Sequence, residues 1–157
     1  MKSVLLRGER ILLRPIERKD AETLVELAQD PTMAPNLAFF AERPPTLDEE
    51  LRWIRAMRNS MAGKGPDFVF TIETNDGENL IGTVGLHEID YKNRNARVGI
   101  LIANKDFRGK GYSSEILTVL YDYVFGVLGF QKVYMSFRVD NEKQIHLAEK
   151  LGYWRVG

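Results

Sequence analysis

The sequence predicts a mixed α/β fold. Residues 67–102 alternate between apolar and polar side chains, as strands do, whereas residues 20–29, 46–61 and 112–128 carry apolar side chains at helical spacing. The elements follow in the order β-α-α-β-β-β-α-β-α-β, which is typical of one sheet covered by helices. A chain of 157 residues has the length of one domain, so we expect a single domain over residues 1–157.

The first third of the chain predicts a hairpin and two helices. Residues 4–16 alternate loosely between aliphatic and basic side chains, which favours a short hairpin or a bent strand. Residues 20–29 predict the first helix, because Pro31 cannot continue it. Residues 46–49 read Thr-Leu-Asp-Glu, a capping box that starts a second helix ending near Met61.

The middle of the chain predicts three antiparallel strands. Residues 68–73 form the first strand, and the Asn-Asp-Gly turn at 75–77 returns the chain along residues 80–89. A second polar turn at 91–95 leads into residues 98–102, an aliphatic run typical of a central strand.

The last third predicts two helices and two strands. A helix runs from residue 112 to about Leu128, a strand covers 133–139, and a helix follows over 142–151. Residues 153–156 predict the start of a final strand.

Composition excludes several classes of function. Lys plus Arg and Asp plus Glu both number 22, so the chain has no net charge to attract nucleic acid or acidic membrane, and we expect neither partner. The absence of cysteine excludes a disulfide, a thiol nucleophile and a thiolate zinc site, and two distant histidines predict no metal. No run of 18 apolar residues occurs, so we expect a cytoplasmic protein.

The segment between the central strand and the long helix predicts an anion site. Residues 108–113 read Arg-Gly-Lys-Gly-Tyr-Ser, where the glycines allow a tight turn whose N–H groups and helix dipole favour phosphate or pyrophosphate. The segment is neither a Walker loop nor a dinucleotide fingerprint. The alternative is a glycine-rich turn without a ligand.

A second segment lies about thirty residues further on, at 141–153. Asn141 can cap a helix that Gly152 ends. This structural role explains most of the segment by itself, but it does not explain why the two segments occur together on successive strand–helix units.

Together the two segments resemble the acyl-CoA-binding core of the GNAT superfamily of N-acetyltransferases. That family has Arg/Gln-x-x-Gly-x-Gly/Ala after a central strand, and here Arg108, Gly111 and Ser113 occupy these positions, with Ser in place of Gly or Ala. The second family pattern is matched by Asn141, Ile145, Glu149, Lys150, Gly152 and Tyr153. The capping box with Trp53 resembles Rim-type ribosomal-protein N-terminal acetyltransferases, and segments 88–91 and 141–146 resemble spermidine N-acetyltransferases.

The resemblance implies a mostly antiparallel sheet that splays at the acyl-CoA site, with helices on both faces. The pantetheine arm would lie beside the central strand as an added strand does, and a backbone N–H near Leu101 would polarise the thioester carbonyl. The pyrophosphate would lie on the glycine turn. The residues implied to bind acetyl-CoA are Ile100, Leu101, Ile102, Arg108, Gly109, Lys110, Gly111, Tyr112, Ser113 and Asn141.

On the acceptor side, the resemblance assigns Glu88 as the base or the amine anchor. Arg97 lies where many relatives have a second carboxylate, and its charge opposes a polyamine. Ala148 replaces the tyrosine that acts as acid in many relatives. The donors left open are Tyr112, Tyr134, Ser136, water and His146, although a surface position is favoured for His146.

The resulting prediction is an N-acetyltransferase that moves acetyl from acetyl-CoA to a primary amine by direct attack. A protein or peptide N-terminal amine is the preferred acceptor, and Phe39, Phe40, Glu42 and Arg97 are candidate acceptor-binding residues. The alternatives are a polyamine or small-amine enzyme, a non-catalytic acyl-CoA-binding module, and a domain that binds no CoA. Family domains usually continue with another strand, so this domain would lack its final strand or a homo-oligomer would complete the edge.

Overall fold

A six-stranded sheet forms the centre of the protein in a computed structural model that describes residues 4–33 and 43–157. The sheet order follows the chain, with antiparallel neighbours from the first to the fifth strand and a parallel sixth strand. This arrangement confirms the predicted mixed α/β class and its mostly antiparallel sheet. The strands are β1 (Leu6–Arg7), β2 (Ile11–Pro15), β3 (Phe68–Thr74), β4 (Leu80–Asp90), β5 (Asn95–Ile102) and β6 (Lys132–Tyr134).

Four α-helices accompany the sheet within the described ranges, and the predicted capping box begins the second of them. Thr46 Oγ1 accepts the Glu49 N–H, and the Glu49 carboxylate accepts the Thr46 N–H at 3.0 Å. None of the helices described is both long and apolar enough to cross a membrane. The helices are α1 (Ala21–Ala28), α2 (Leu47–Ala62), α3 (Tyr112–Gly126) and α4 (Glu142–Lys150).

The sheet has a hydrophobic cluster on each face because successive strand residues point in opposite directions. On one face α3 packs against the sheet, with Leu147 and Leu151 at the edge of the cluster. On the other face α1 and α2 pack against Val69 of β3. Helices on both faces are therefore confirmed. The fully buried side chains of the first cluster include Phe70, Ile72, Ile116, Leu117 and Leu120, and those of the second include Ile16 and Ile54.

A buried ion pair joins the start of α1 to the sheet. Asp20 is 3% exposed, and its carboxylate accepts two hydrogen bonds from Arg14, at 2.7 and 2.9 Å, and one from Thr71 at 2.8 Å. Burial raises the pKa of Asp20, but the hydrogen bonds from Arg14, from the Glu17 N–H and from Thr71 outweigh burial, and the pKa lies below its ordinary value. The carboxylate therefore stays charged inside the fold.

Two predicted strands differ from the structure. The strand predicted over 133–139 ends at Tyr134, because β5 and β6 diverge there and the following residues have no strand beside them in the described part of the chain. The strand predicted over 153–156 is absent for the same reason, and Trp154 is 90% exposed. Extended backbone becomes a strand only where a neighbour completes its hydrogen bonds.

Candidate active site

The sheet opens between β5 and β6. The two strands pair only through Asn95, Ala96 and Arg97, which face residues 132–134. From Val98 onward β5 keeps β4 on one side, and no described strand lies on the other. This is the splay that the family resemblance implied.

The open edge of β5 exposes backbone polar groups of alternate residues. A Cβ built on Gly82 would lie 1.8 Å from the Leu101 carbonyl oxygen, so this oxygen faces β4. By the alternation of an antiparallel ladder, Ile100 and Ile102 direct their N–H and C=O groups to the open edge. The Ile102 oxygen accepts the Arg108 Nε–H at 2.9 Å, which leaves the groups of Ile100 facing the splay. An extended amide chain could add there as a further strand.

The glycine turn leads from β5 into α3 in a conformation suited to an anion. Gly109 and Gly111 have φ of 69° and 79°, in the left-handed region that favours glycine. Gly111 is the N-cap of α3 and offers no side-chain acceptor, so the first N–H groups of the helix remain directed outward. Alternating left-handed residues before a helix N-terminus form an anion-binding concavity.

Arg10, in the turn between β1 and β2, reaches this glycine turn. Its Nη1–H donates to the Lys110 carbonyl oxygen at 3.2 Å, its guanidinium lies 4.0 Å from the centre of the Tyr112 ring, and its Nε–H donates to Glu115 at 2.7 Å. Arg10 and Glu115 are 105 positions apart, and sequence analysis missed this contact because no local pattern links them. The structure thus places a guanidinium, ion-paired with Glu115, beside the predicted anion site.

Two predicted acetyl-CoA residues have structural partners of their own. In addition to the Ile102 oxygen, the Arg108 guanidinium donates to the Ala103 oxygen at 3.1 Å and to Thr32 Oγ1 at 2.6 Å. Arg108 therefore links the end of β5 to the turn after α1. Asn141 caps α4 by accepting the Gln144 N–H. Lys110 is exposed on the turn.

The carboxylate of Glu88 lies at the splay, held by residues of the two strands that diverge there. A bulge in β4 gives Glu88 a φ of 51°, and its Oε2 accepts the Tyr134 hydroxyl at 2.9 Å and the Arg97 Nε–H at 3.3 Å. The hydrogen bond from Tyr134 and the charge of Arg97 lower the pKa of Glu88, and the same hydrogen bond raises the pKa of Tyr134. Glu88 is thus an anion and Tyr134 a proton donor at neutral pH.

The other candidate donors form no hydrogen bond with Glu88 within the described ranges. Tyr112 lies at the glycine turn beneath Arg10, and Ser136 and His146 are exposed. Of the open candidates, Tyr134 is the one whose hydroxyl contacts Glu88 in the described part of the chain. Phe39, Phe40 and Glu42 lie outside the described residues.

The site contains no evident metal centre in the described ranges, where no group of three or more His, Asp or Glu side chains is arranged to hold an ion. Its two parts are an anion-binding turn beside an open strand edge and a carboxylate with a phenol at the splay. An extended cosubstrate with a phosphate group fits the first part, and a cationic acceptor fits the second. The arrangement is the one expected of a mixed α/β enzyme that transfers an acyl group from such a cosubstrate to an amine.

Comparison with known proteins identifies the family. The model of the acetyltransferase (GNAT) domain matches residues 10–153, so the chain belongs to the GNAT acetyltransferase family. Members of this family are N-acetyltransferases that use acetyl-CoA, and the assignment supports an enzyme over a non-catalytic module. The predicted family is therefore confirmed.

Individual relatives divide between two kinds of acceptor. The chain is 30% identical over 150 residues to spermidine N(1)-acetyltransferase of Vibrio cholerae, covering 96% of this chain and 82% of that protein. It is 33% identical over 155 residues to the "Putative ribosomal N-acetyltransferase YdaF" of Bacillus subtilis, covering 96% and 81%. A structure of the Vibrio cholerae spermidine enzyme with CoA and spermine has a TM-score of 0.77 at 30% identity, covering 94% and 82%, and another is described as dodecameric.

Proposed function

We propose that this enzyme acetylates the N-terminal amine of a protein or peptide by direct attack on acetyl-CoA. The ion pair between Glu88 and Arg97 carries the choice of acceptor. A polycation needs several carboxylates, whereas the described part of this cluster has one carboxylate already paired with a guanidinium. A single ammonium group with a peptide chain behind it suits this arrangement better.

The cosubstrate side of the proposal uses the glycine turn and the edge of β5. The pyrophosphate lies on the N–H groups of residues 109–113, with Arg10 and Lys110 adding positive charge. The pantetheine amides pair with the open edge of β5 at Ile100, and an N–H on that edge, from Ile100 or Ile102, polarises the thioester carbonyl. The N–H of Leu101 itself does not serve, because the Leu101 backbone faces β4. Arg108 and Asn141 act by holding the turn and the following helix in place.

The acceptor side uses the cluster at the splay. Glu88 attracts and holds the ammonium group, and Tyr134 is the candidate proton donor to the departing thiolate in place of the phenol that Ala148 lacks. Arg97 keeps the carboxylate charged and oriented. Phe39, Phe40 and Glu42 remain candidates for contact with the acceptor.

A polyamine or other small amine is the second candidate. Its support is the similarity to spermidine N(1)-acetyltransferase, together with the exposed carboxylate of Glu88, which can bind any ammonium group. The peptide and polyamine candidates differ in how the positive charge of the acceptor should affect the rate of acetylation.

A competition of acceptors tests the proposal. Peptides with free and with blocked N-termini and spermidine are compared by the release of the CoA thiol, and the free peptides should have the highest kcat/KM. Arg97→Glu should raise the spermidine-to-peptide ratio about tenfold, because spermidine carries ammonium groups beyond the one that reacts. A unit charge about 6 Å from such a group is worth about 0.7 kcal/mol at the dielectric of water, and reversing the charge doubles this to about 1.4 kcal/mol. Arg7→Glu, on exposed β1, is the charge-matched control.

Three results would contradict the proposal in different ways. A higher kcat/KM of the wild type for spermidine than for peptides would favour the polyamine N-acetyltransferase hypothesis. Tight acetyl-CoA binding without turnover on any amine would favour the non-catalytic module. Glu88→Gln with wild-type kcat/KM would remove this carboxylate from the acceptor site.

Assembly and location also remain proposals. We expect a homo-oligomer because a similar spermidine N-acetyltransferase of Vibrio cholerae has a dodecameric structure. Light scattering of the purified chain measures its mass directly. The cytoplasmic location remains a prediction from the sequence.

A further inference from the structure

His87 and Asp67 form a hydrogen-bonded pair on the sheet face that carries Arg97. His87 Nδ1 lies 2.8 Å from Asp67 Oδ1, and the two side chains are 21% and 25% exposed. The Asp67 N–H donates to Ser60 Oγ of α2 at 2.9 Å, which fixes the segment that carries the carboxylate. A carboxylate at Nδ1 places the proton of a neutral imidazole on that nitrogen and leaves a lone pair on Nε2.

The imidazole lies across two glycines that face each other on β4 and β5. A Cβ at Gly85 would lie 3.0 Å from His87 Nε2, and one at Gly99 would lie 3.7 Å from it. The ring therefore turns its Nε2 edge toward the Gly85–Gly99 pair, away from Asp67. Gly99 lies on the part of β5 whose other edge is open to the acyl chain.

Strand register places this pair beside the acceptor cluster. His87 is the cross-strand partner of Arg97, and Arg97 is the partner of Tyr134, so the three residues form one row across β4, β5 and β6 where the sheet opens. The charged groups around the imidazole are Asp67 before β3, Glu88 on its own strand and Arg97 on β5. From α2, the neighbour of Asp67 is the neutral Ser60 hydroxyl.

Glu88 at the splay and Asp67 before β3 are suited to different tasks. Glu88 receives hydrogen bonds from Tyr134 and Arg97 that lower its pKa, which makes it a weak base and a good anchor for an ammonium. Asp67 can stabilise an imidazolium through its contact with Nδ1. An imidazole ordinarily changes charge between pH 5 and 8, which suits a general base.

We propose that His87, oriented by Asp67, accepts the proton of the acceptor ammonium before acetyl transfer. This inference rests on the proposed function. An N–H bond of the ammonium breaks and its proton moves to Nε2. The freed electron pair forms the C–N bond with the thioester carbon while the carbonyl π electrons move to the oxygen, from which they return as the thiolate leaves. The C–S bond then breaks, the thiolate receives a second proton from the same nitrogen by way of Tyr134 or water, and Nε2 releases its proton to solvent.

The chain offers a matched control because it contains two histidines, and the second, His146, is exposed on α4. His87→Gln should lower kcat about 100-fold or more, the usual effect of losing a general base, while acetyl-CoA affinity stays near the wild-type value. His146→Gln should leave kcat unchanged. Because His87 is then the one histidine left in the chain, the NMR signal that remains in this variant belongs to His87.

The pH profile separates a proton acceptor from a structural residue. Wild-type kcat should have an acid limb whose midpoint equals the NMR midpoint of His87, and His87→Gln should lose this limb. Asp67→Asn should lower kcat, and it should shift the midpoint of the acid limb of the kcat profile and the NMR midpoint of His87 by the same amount. If His87→Gln does not fold, Asp67→Asn tests the inference in its place.

Each outcome either supports the inference or overturns it. Equal kcat in His87→Gln, or an acid limb that does not follow the His87 titration, overturns it. If wild type and His146→Gln acetylate no amine at all, the proposed function fails instead. The two failures are thus distinguished by the wild-type assay.

Discussion

Replacing Gly111 by alanine separates the demands of the fold from those of the cosubstrate. Gly111 has a φ of 79°, and an added Cβ would meet only Arg10 Nη2, at 3.9 Å. Gly129 is a matched control, with a φ of 70° and no atom within 4 Å of an added Cβ, far from the turn in the sequence. Left-handed backbone costs a non-glycine residue about 1–2 kcal/mol, so both variants should melt about 2–8 °C below the wild type without ligand.

Acetyl-CoA should distinguish the two variants. At a concentration of 100 Kd, the ligand stabilises the wild type by about 2.7 kcal/mol, which raises Tm by about 5–11 °C. If the methyl group at Gly111 displaces the pyrophosphate and weakens binding tenfold, the same concentration stabilises by about 1.4 kcal/mol and the rise in Tm is halved. Gly129→Ala should keep the whole rise.

Thermal unfolding over a titration of acetyl-CoA measures both effects in one experiment. Equal ligand-induced shifts for the two alanine variants would refute the assignment of the turn as the pyrophosphate site. A smaller shift for Gly111→Ala alone would support it, because the folded protein leaves room for the methyl group at both positions.

Three other predictions concern the buried ion pair and the added cation. Asp20→Ala should lower the free energy of unfolding in urea by about 3–5 kcal/mol, because it leaves the Arg14 guanidinium buried without its main partner. The double variant Arg14→Met/Asp20→Leu should recover most of this loss. A loss below about 1 kcal/mol in Asp20→Ala would contradict the prediction. Because the folded pKa of Asp20 is lowered, its contribution is present above its unfolded pKa of about 3.9 and is lost as pH falls through the folded value, so wild-type stability should fall below about pH 4 more steeply than that of the double variant. Arg10→Gln should weaken acetyl-CoA binding several-fold by calorimetry and reduce its salt dependence, with Arg7→Gln as control, and an unchanged salt dependence would remove Arg10 from the site.

Much of the fold followed from local patterns. The capping box at Thr46 begins α2, the alternation over residues 68–102 forms three antiparallel strands, and the glycine turn precedes a helix, all as predicted. These features depend on neighbouring residues: a hydroxyl three positions before a carboxylate, side chains that alternate by two, and glycines that allow positive φ.

The ends of β6 and the absent last strand could not be predicted in this way. The residues after Tyr134 have the composition of a strand, but β5 diverges from them and no described strand replaces it. Strand formation depends on a partner as well as on propensity, and the partner is set by the path of a distant segment.

The candidate site shows the same division. The sequence was sufficient to predict Glu88, the glycine turn and the likeness to the acetyltransferase family, because each depends on residue type and spacing. The contact of Tyr134 with Glu88 spans 46 positions, and that of His87 with Asp67 spans 20. No periodic pattern encodes such contacts.

The sequence by itself therefore determined the class of fold and the family, and it predicted the segment proposed to hold a pyrophosphate, since each follows from local chemistry and spacing. Only the tertiary structure decided that Arg97 forms an ion pair with Glu88, that Arg10 reaches the turn, and that His87 lies beside the opening of the sheet. The physical reason is that register and bulges bring together side chains that the chain keeps apart, and proton transfer depends on distances of a few ångströms.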